Sequence, residues 1–400
     1  MRITDIRIRE VSIPRIYDTY TADPDQLQPD TDHTRSRYQI IELLTDTGHV
    51  GLGEVSDIAK RMNPLSAPDL KGFLEGHLSG VNLDSWRTAY DAIARSFSDT
   101  YHPELRALTL FGIEIALLDL VGKRYGAPLF ELLGGRYRDH VPVCWVIYMR
   151  GDVDEDEELR ALEDEVKGKL SEGITAFKMK VGEDHARDLR RIARFREIVG
   201  PHIYLRVDAS GAWSEKEAIA KLEDIAKAGV NACETPVNVV SRPIVNDNPD
   251  QINRNPDLPA AVLARVRENC RIQIIEHAAD LNDSFTSALV RHQAVDVINI
   301  IPSQGCGILR AQRLIYTAET GGIPVLLGST VEMGPGTAAF VHLALATRNV
   351  SVTSDLVSPG LLVDDVCTQR FRYKEGNLNA FEGPGLGVEL DESKIEKWSI

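Results

Sequence analysis

Residues 177–181 read Phe-Lys-Met-Lys-Val, so two lysines alternate with large apolar residues. A β-strand has a period of two, which places Lys178 and Lys180 on one face and the apolar side chains on the other. The run follows a helix-like stretch, 157–172, that Gly173 closes, and this order indicates a parallel strand of an alternating α/β chain. Both faces of such a strand are normally buried. The two ammonium groups therefore require a compensating anion or a chemical role.

Three carboxylates stand where later apolar runs stop. They are Asp208, Glu234 and Glu276, each the last residue of a short strand-like run. Amphipathic helical stretches separate further strand-like runs, which are centred near residues 145, 299, 326 and 352. From Lys178 onward the centres recur about every 26 residues apart from one longer gap, which is the spacing of repeated β/α units. Eight runs of this kind predict a (β/α)8-type barrel.

Side chains at the carboxyl ends of barrel strands converge on one mouth, where active sites lie. The two lysines and the three carboxylates are therefore expected to meet there. Carboxylates without interleaved Cys or His are hard oxygen ligands that suit Mg2+ rather than zinc. A single carboxylate at a strand end is more often a helix cap or a loop residue, and Lys-x-Lys pairs also occur on exposed edge strands. The occurrence of all five groups on four successive predicted strands favours a shared magnesium site.

Longer motifs connect the chain with a known family. They are ALLDLVGK at 116–123, GAPL at 126–129, LLGG at 132–135, VDA at 207–209, ETP at 234–236, GSTVE at 328–332 and GPGLG at 383–387. Together with Lys-x-Lys, these motifs are similar to those of the enolase superfamily, in the branch of mandelate racemase and muconate lactonizing enzyme. The resemblance extends over nearly the whole chain.

The resemblance implies an α/β fold, a modified TIM barrel of (β/α)7β form with an N-terminal α+β capping domain. The predicted boundaries are 1–140 for the capping domain, 141–370 for the barrel and 371–400 for a C-terminal segment that returns to the cap. A polar loop at 17–37 occupies the family's position for a lid over the active site. The wider gap between Glu234 and Glu276 predicts an inserted loop at 239–259.

The resemblance also implies a role for each site residue. The implied roles are metal ligands for Asp208, Glu234 and Glu276, general base for Lys180, electrostatic partner for Lys178, and a carboxylate near the substrate for Glu332. The reaction step shared by the family is removal of the proton next to a substrate carboxylate, which gives an enediolate whose charge Mg2+ stabilises. The expected substrate is a small carboxylic acid, and the expected cofactor is Mg2+.

One departure from the family pattern reduces the number of reactions that the site is expected to catalyse. Muconate lactonizing-type members usually carry a second lysine at the end of the sixth strand, where this chain has Ile301. The alternative histidine after the seventh strand is also missing from the run 323–328. A single strong base on one face favours syn dehydration, in which water leaves the carbon next to the acidic one. This arrangement resembles that of the cis-3-hydroxyproline dehydratases, with sugar-acid dehydratases as neighbours.

Other functions stay open at this point. A cycloisomerase also needs only one acid–base group, and a racemase or epimerase could use Ser303 or a bound water as its second acid. A sensor that binds Mg2+ and an organic acid without turnover is the non-enzymatic alternative. Ser303 could instead donate a hydrogen bond to the departing hydroxyl of a dehydration.

Three further positions differ from the family pattern. Ser210 stands where the family has Asn, which predicts a weaker or water-mediated contact near the metal ligands. Cys306 interrupts a pair of glycines after the sixth strand. His277 follows Glu276, and strand alternation predicts that its side chain points away from the barrel mouth.

Composition limits the remaining functions. The chain has 400 residues, 43% of them hydrophobic, which is enough for a large core and two domains. Its five cysteines without a C-x-x-C spacing indicate a reducing compartment, and no apolar signal-peptide segment or membrane span is expected, so we predict a cytoplasmic protein. A formal charge of −15 argues against binding to nucleic acid or anionic membranes. The resemblance implies a homo-oligomer.

Overall fold

A computed structural model describes residues 1–23, 31–97, 101–151, 153–238, 255–278, 283–305 and 307–400. Most of the predicted insertion, up to residue 254, lies outside the described residues, and so do Cys306 and the middle of the predicted lid loop. None of the described helices is both long and apolar enough to cross a bilayer.

The amino-terminal part of the chain is an antiparallel sheet packed against helices. Its strands are β1 (Ile3–Pro14), β2 (Arg35–Thr45) and β3 (Val50–Val55), in that spatial order, and its helices are α1 (Ala67–Leu78), α2 (Trp86–Ser96) and α3 (Pro103–Tyr125). A Pro in the first turn begins α3, and Gly126, at a φ of 64°, ends it. Gly53 and Gly112 allow α3 to lie directly on β3, because a Cβ added at Gly53 would be 2.0 Å from the Gly112 carbonyl oxygen. This unit is the α+β cap.

The second unit is a curled sheet of seven parallel strands, which follow one another in chain order. These strands are β5 (Trp145–Ile147), β6 (Ala176–Lys180), β7 (Tyr204–Asp208), β8 (Ala232–Glu234), β9 (Gln273–His277), β10 (Val297–Ile300) and β11 (Val325–Leu327). The helices of this unit are α5 (Glu155–Ser171), α6 (His185–Val199), α7 (Glu215–Lys227), α8 (Asp257–Glu268), α9 (Asp283–Arg291), α10 (Ile308–Thr320) and α11 (Gly334–Ala346). Short elements complete the chain, namely α4 (Leu129–Leu132), β4 (Val141–Pro142), α12 (Ser358–Leu361), β12 (Asn377–Leu378), α13 (Glu392–Trp398) and two single-turn 3-10 helices (Lys60–Met62 and Leu83–Ser85).

An extended segment, residues 350–355, closes the sheet into a barrel. Val350 pairs with Val325 of β11, and Ser354 pairs with Val143 beside β5, both in parallel orientation. The backbone N–H of Ser354 donates to the carbonyl of Pro142 at 3.0 Å. Seven strands plus this closing segment confirm the predicted (β/α)7β barrel with an amino-terminal cap.

Buried carboxylates of the cap fasten it to the rest of the chain. Asp119 of α3 accepts the backbone N–H of Leu52 at 2.9 Å and that of Leu386 at 2.8 Å. The final residues return to the cap sheet, where Ser399, just after α13, pairs with Val11 of β1. The cap therefore covers the barrel as part of one packed molecule.

Candidate active site

Three charged residues lie side by side at the carboxyl ends of adjacent strands. In the parallel register, Lys180 of β6 is opposite Asp208 of β7, and Asp208 is opposite Glu234 of β8. The alternate residues of β6 are apolar and face outward, as Phe177 shows by packing edge-on against Phe195 of α6, with ring centroids 5.2 Å apart. Alternation along the strand thus places both lysines inside the barrel.

The two lysines contact the predicted metal ligands directly. The Nζ atom of Lys180 lies 2.6 Å from Oδ2 of Asp208. The Nζ atom of Lys178 lies 3.1 Å from Oε2 of Glu234 and 3.4 Å from Oδ2 of Asp208. The side chain of Lys180 is 15% exposed and that of Lys178 only 5% exposed, so Lys180 is the amine that a substrate reaches more easily.

Charge compensation decides the protonation of Lys178. Burial by itself lowers the pKa of this amine, but Asp355, Glu234 and Asp208 raise it well above its ordinary value. Burial likewise raises the pKa of the Asp208 carboxyl, yet Lys180 and Lys178 hold it below the usual range. Lys178 is therefore a fixed ammonium group, and Asp208 is a carboxylate.

Two functional residues were missing from the sequence prediction. Asp355 ends the segment that closes the barrel, and its Oδ2 atom lies 2.6 Å from Nζ of Lys178. Its other carboxylate oxygen accepts a hydrogen bond from Arg206, which is fully buried inside β7. Both carried a recognisable pattern, since Asp355 is a carboxylate at the end of a strand-like run and Arg206 interrupts an apolar strand.

Glu276 and His277 lie on the opposite faces of β9 from those expected. Both end β9, where Glu276 is buried at 3% exposure. His277, which was expected to point away from the mouth, lines the central cavity, whereas Glu276 does not. That expectation was wrong because Ile275 is opposite Glu234 and His277 is opposite Asn299, so regular alternation along β9 turns His277 toward the cavity and Glu276 away from it.

The donor set suits a hard divalent cation. Asp208, Glu234 and Glu276 are buried carboxylates on three adjacent strands. No group of three or more Asp, Glu, His or Cys among the described residues lies close enough together to hold a metal ion. Asp208 and Glu234 are instead contacted by the side-chain nitrogens of Lys180 and Lys178. The residue types therefore fit Mg2+, and binding requires that these carboxylates turn toward the ion.

Neighbouring polar groups orient the ligand carboxylates. The side-chain amide of Asn299, on β10, donates to Oε1 of Glu234 at 2.6 Å. The backbone N–H of Ser210 donates to Oδ1 of Asp208 at 2.9 Å, and its hydroxyl lies 3.4 Å from the same atom. Ser210 has a φ of 50°, a left-handed conformation that Asn adopts more readily than Ser. The side-chain contact of Ser210 is direct but long, which agrees with the weaker of the two contacts expected there.

Ser303 and Glu332 form a hydroxyl-rich cluster behind the cavity wall. The Ser303 hydroxyl donates to Oε1 of Glu332 at 2.8 Å, and the hydroxyl and backbone N–H of Thr330 donate to the same oxygen at 2.5 and 2.8 Å. The hydroxyl of Ser329 donates to Oε2 at 2.5 Å. Thr330 and Ser329 line the cavity, while Ser303 and Glu332 do not. Contact of Ser303 or Glu332 with a substrate thus stays a prediction.

An aliphatic residue lies on the side of the barrel opposite Lys180. Between β6 and β10 lie β7, β8 and β9 on one side of the barrel, and β5, the closing segment and β11 on the other. The two strands are therefore on opposite sides of the barrel. Ile301, immediately after β10, lines the cavity and is 8% exposed. The side of the site facing Lys180 therefore has an aliphatic side chain where a second lysine would stand.

Sequence comparison gives the family. The model of the mandelate racemase/muconate lactonizing enzyme amino-terminal domain matches residues 11–134, and the enolase carboxyl-terminal domain-like model matches residues 161–245 and 255–394. The chain belongs to the mandelate racemase/muconate lactonizing enzyme family of the enolase superfamily. Its members include isomerases that act on small carboxylates, and the prediction that the chain is an enzyme is confirmed.

Several relatives of this chain are isomerases. The chain is 32% identical to a chloromuconate cycloisomerase from Cupriavidus pinatubonensis, over 72% of this chain and 71% of the relative. It is 27% identical to an L-Ala-D/L-Glu epimerase from Clostridium acetobutylicum, over 88% and 90% respectively. The crystal structure of 2-chloromuconate cycloisomerase from Rhodococcus opacus 1CP matches with a TM-score of 0.82 and 26% identity, over the full length of both chains.

Proposed function

We propose that this family member is a Mg2+-dependent carboxylate isomerase of the cycloisomerase type, which uses a single acid–base group. In the ring-opening direction, Lys180 takes the proton from the carbon next to the substrate carboxylate. The electron pair of that C–H bond forms the new carbon–carbon double bond, and the bond from the adjacent carbon to the ring oxygen breaks, with the oxygen keeping its electron pair. Ring closure is the reverse, with Lys180 returning the proton.

The observation that carries this proposal is that Lys180 faces an aliphatic residue, Ile301, where a second base would stand. Racemisation through both faces of a carbon needs an acid–base group on each side, whereas intramolecular addition and elimination on one face needs only one. Lys180 supplies that group, and Ile301 stands on the opposite side of the barrel. The cycloisomerases among the relatives support the same reaction class.

The other charged residues have complementary tasks in this proposal. Asp208, Glu234 and Glu276 would hold Mg2+, and the bound ion would stabilise the negative charge that develops on the substrate carboxylate. Lys178 adds a fixed positive charge beside the same carboxylates. Lys180 has to be uncharged to accept a proton, and its contact with Asp208 at 2.6 Å positions the amine at the barrel mouth.

Syn dehydration is the second candidate, because it has the same requirement for one base on one face. The hydroxyls of Thr330 and Ser329 line the cavity and belong to the cluster around Glu332. A hydroxyl placed there could donate a hydrogen bond to a departing hydroxide. The substrate would then be a hydroxylated amino or sugar acid, such as cis-3-hydroxyproline, and the product would be lighter by one water.

The test is incubation of the full-length protein with Mg2+ in deuterated water, with muconate and its lactone, hydroxyproline isomers, sugar acids and dipeptides. A ring-closed isomer of the substrate whose only change in composition is one deuterium next to the carboxylate supports the proposal. Loss of water supports the second candidate, and exchange with inversion at one carbon contradicts both. In Lys180→Met, exchange should fall by at least about a thousandfold, while Lys216→Met, at an exposed lysine of α7, should retain it.

A further inference from the structure

The cavity extends from the lysines at the barrel mouth to a basic wall in the cap. Five basic residues of the cap line it, namely Arg15, Arg35, Arg37, Lys60 and Arg61. Two of these are neutralised by neighbours. Arg15 donates to both carboxylate oxygens of Asp57 at 2.9 Å, and Arg61 lies 3.5 Å from Glu104.

Arg37 and Lys60 are not neutralised in this way. Among the residues that the structure describes, neither side chain takes part in a hydrogen bond or an ion pair. Arg37 is half-buried, and Lys60 is exposed at the edge of the cavity. An arginine that is partly withdrawn from water without a carboxylate partner suits an incoming anion, because its planar guanidinium can bind a carboxylate through two hydrogen bonds.

The acidic residues of the same wall have other engagements. Oδ1 of Asp32 accepts the backbone N–H groups of Thr34 and Arg35 at 2.9 and 3.2 Å, and also the Thr34 hydroxyl at 2.8 Å. Asp23 is buried and has a partner of its own. Asp57 is held by Arg15. Arg37 and Lys60 thus have no carboxylate partner among the described residues of this wall.

The position of Arg37 is fixed by the backbone around it. Its carbonyl accepts the N–H of Ile58 at 2.8 Å, which ties β2 to the loop that leads to Lys60. The neighbouring Tyr38 is buried, and its hydroxyl donates to the carbonyl of Val331 at 2.7 Å. Arg37 therefore projects from a strand that is fastened to the barrel, so the guanidinium is carried by a rigid element.

We infer that the substrate carries a second anionic group at the end remote from the reacting carboxylate, and that Arg37, assisted by Lys60, binds it. This inference rests on the proposed function, because it assumes that the reacting carboxylate lies beside Lys180 and the predicted metal ligands. The substrate class is then a dicarboxylic acid or another acid with a terminal anion. Arg37 acts as a specificity residue and takes no part in proton transfer.

The test uses calorimetric titration of the Mg2+-loaded full-length protein with glutarate, adipate and their monoamides. We expect the better diacid to bind at least tenfold more tightly than its monoamide, which corresponds to about 1.4 kcal/mol. Arg37→Met should remove this preference while the monoamide affinity changes less than about twofold. Arg37→Lys keeps the positive charge and should retain part of the preference for the diacid. Its binding would also show that the position tolerates substitution.

Arg7→Met is the matched control, because Arg7 is an exposed arginine of β1 in the same cap sheet and does not line the cavity. It should leave the preference for the diacid unchanged. Equal binding of diacid and monoamide by the unmodified protein, or an equal loss of both in Arg37→Met, overturns the inference. A preference that depends on Arg37, combined with no deuterium exchange into any acid, would support the inference and contradict the proposed function instead.

Discussion

The ammonium nitrogen of Lys178 lies 2.6 Å from Oδ2 of Asp355, and this ion pair joins β6 to the segment that closes the barrel. Asp355 is 2% exposed, and its second oxygen is bound by Arg206. Burial would raise the pKa of the Asp355 carboxyl, but Arg206 and Lys178 keep it below the ordinary value. The pair thus holds Lys178 charged and in place, and it ties β6 to the closing segment.

Asp355→Asn should therefore destabilise the protein strongly. Removing one partner of a buried ion pair leaves an uncompensated charge, which costs about 3 to 5 kcal/mol. Urea unfolding followed by circular dichroism measures the change. Asp139→Asn, at a carboxylate that is 82% exposed beside Arg136, should change the free energy of unfolding by less than about 0.5 kcal/mol. If both substitutions changed the free energy of unfolding by similar amounts, the buried Asp355 ion pair would not be a major contribution to stability.

Ile301→Lys should add a base to the second face of the site. The unmodified protein is expected to exchange the proton of one enantiomer of a chiral acid, because Lys180 approaches from one side only. An amine after β10 would stand on the opposite side of the barrel, so the variant should exchange both enantiomers. Proton NMR in deuterated water follows the two exchange rates. Ile301→Met is the control of similar volume, and exchange of both enantiomers by it would refute the one-base interpretation.

Mg2+ should stabilise the folded protein through Glu276. A ligand that binds only the folded state adds about 2.7 kcal/mol to the free energy of unfolding at one hundred times its Kd. Addition of millimolar Mg2+ to chelator-treated protein should raise Tm, and Glu276→Gln should remove most of that increase. Glu268→Gln, at an exposed position near the end of α8, should keep it. An unchanged response to Mg2+ in Glu276→Gln would exclude this carboxylate as a ligand.

Glu54 should make stability depend on pH. Burial raises the pKa of this carboxyl from 4.5 to about 8, although it accepts the backbone N–H groups of Met333 at 2.8 Å and Gly336 at 3.0 Å. The folded state thus binds more protons than the unfolded state between these pH values. The contribution of Glu54 is full below pH 4.5 and is lost as pH rises through about 8, by at most about 5 kcal/mol.

Chemical unfolding at a series of pH values between 4.5 and 8.5 measures this dependence. Glu54→Gln, which keeps a neutral hydrogen-bonding side chain, should flatten the decline in stability with rising pH. Glu75→Gln, on α1 and away from the barrel, should not. An equally steep decline in Glu54→Gln would assign the dependence to another group, such as Glu114, whose pKa burial raises to about 7.

Much of the candidate site was accessible from strand-end positions alone. Lys178, Lys180, Asp208 and Glu234 meet in the barrel, because the carboxyl ends of parallel strands share one edge of the sheet. The same rule would have selected Asp355, had it been applied to the eighth strand-like run. Strand alternation was applied wrongly at His277, because the register of β9 places Ile275, not Glu276, on the inner face with Glu234.

The sequence by itself determined the barrel, the cap, the family and the residue types of the reacting centre, because periodicity and motif spacing are local properties of a chain. Tertiary structure alone decided which charges are paired. Arg15 is neutralised by Asp57, whereas Arg37 has no side-chain partner in the part of the chain that the structure describes, and Ser303 is turned onto Glu332 behind the cavity wall. Ion pairing and burial depend on distances between segments far apart in the chain, and no local pattern specifies those distances.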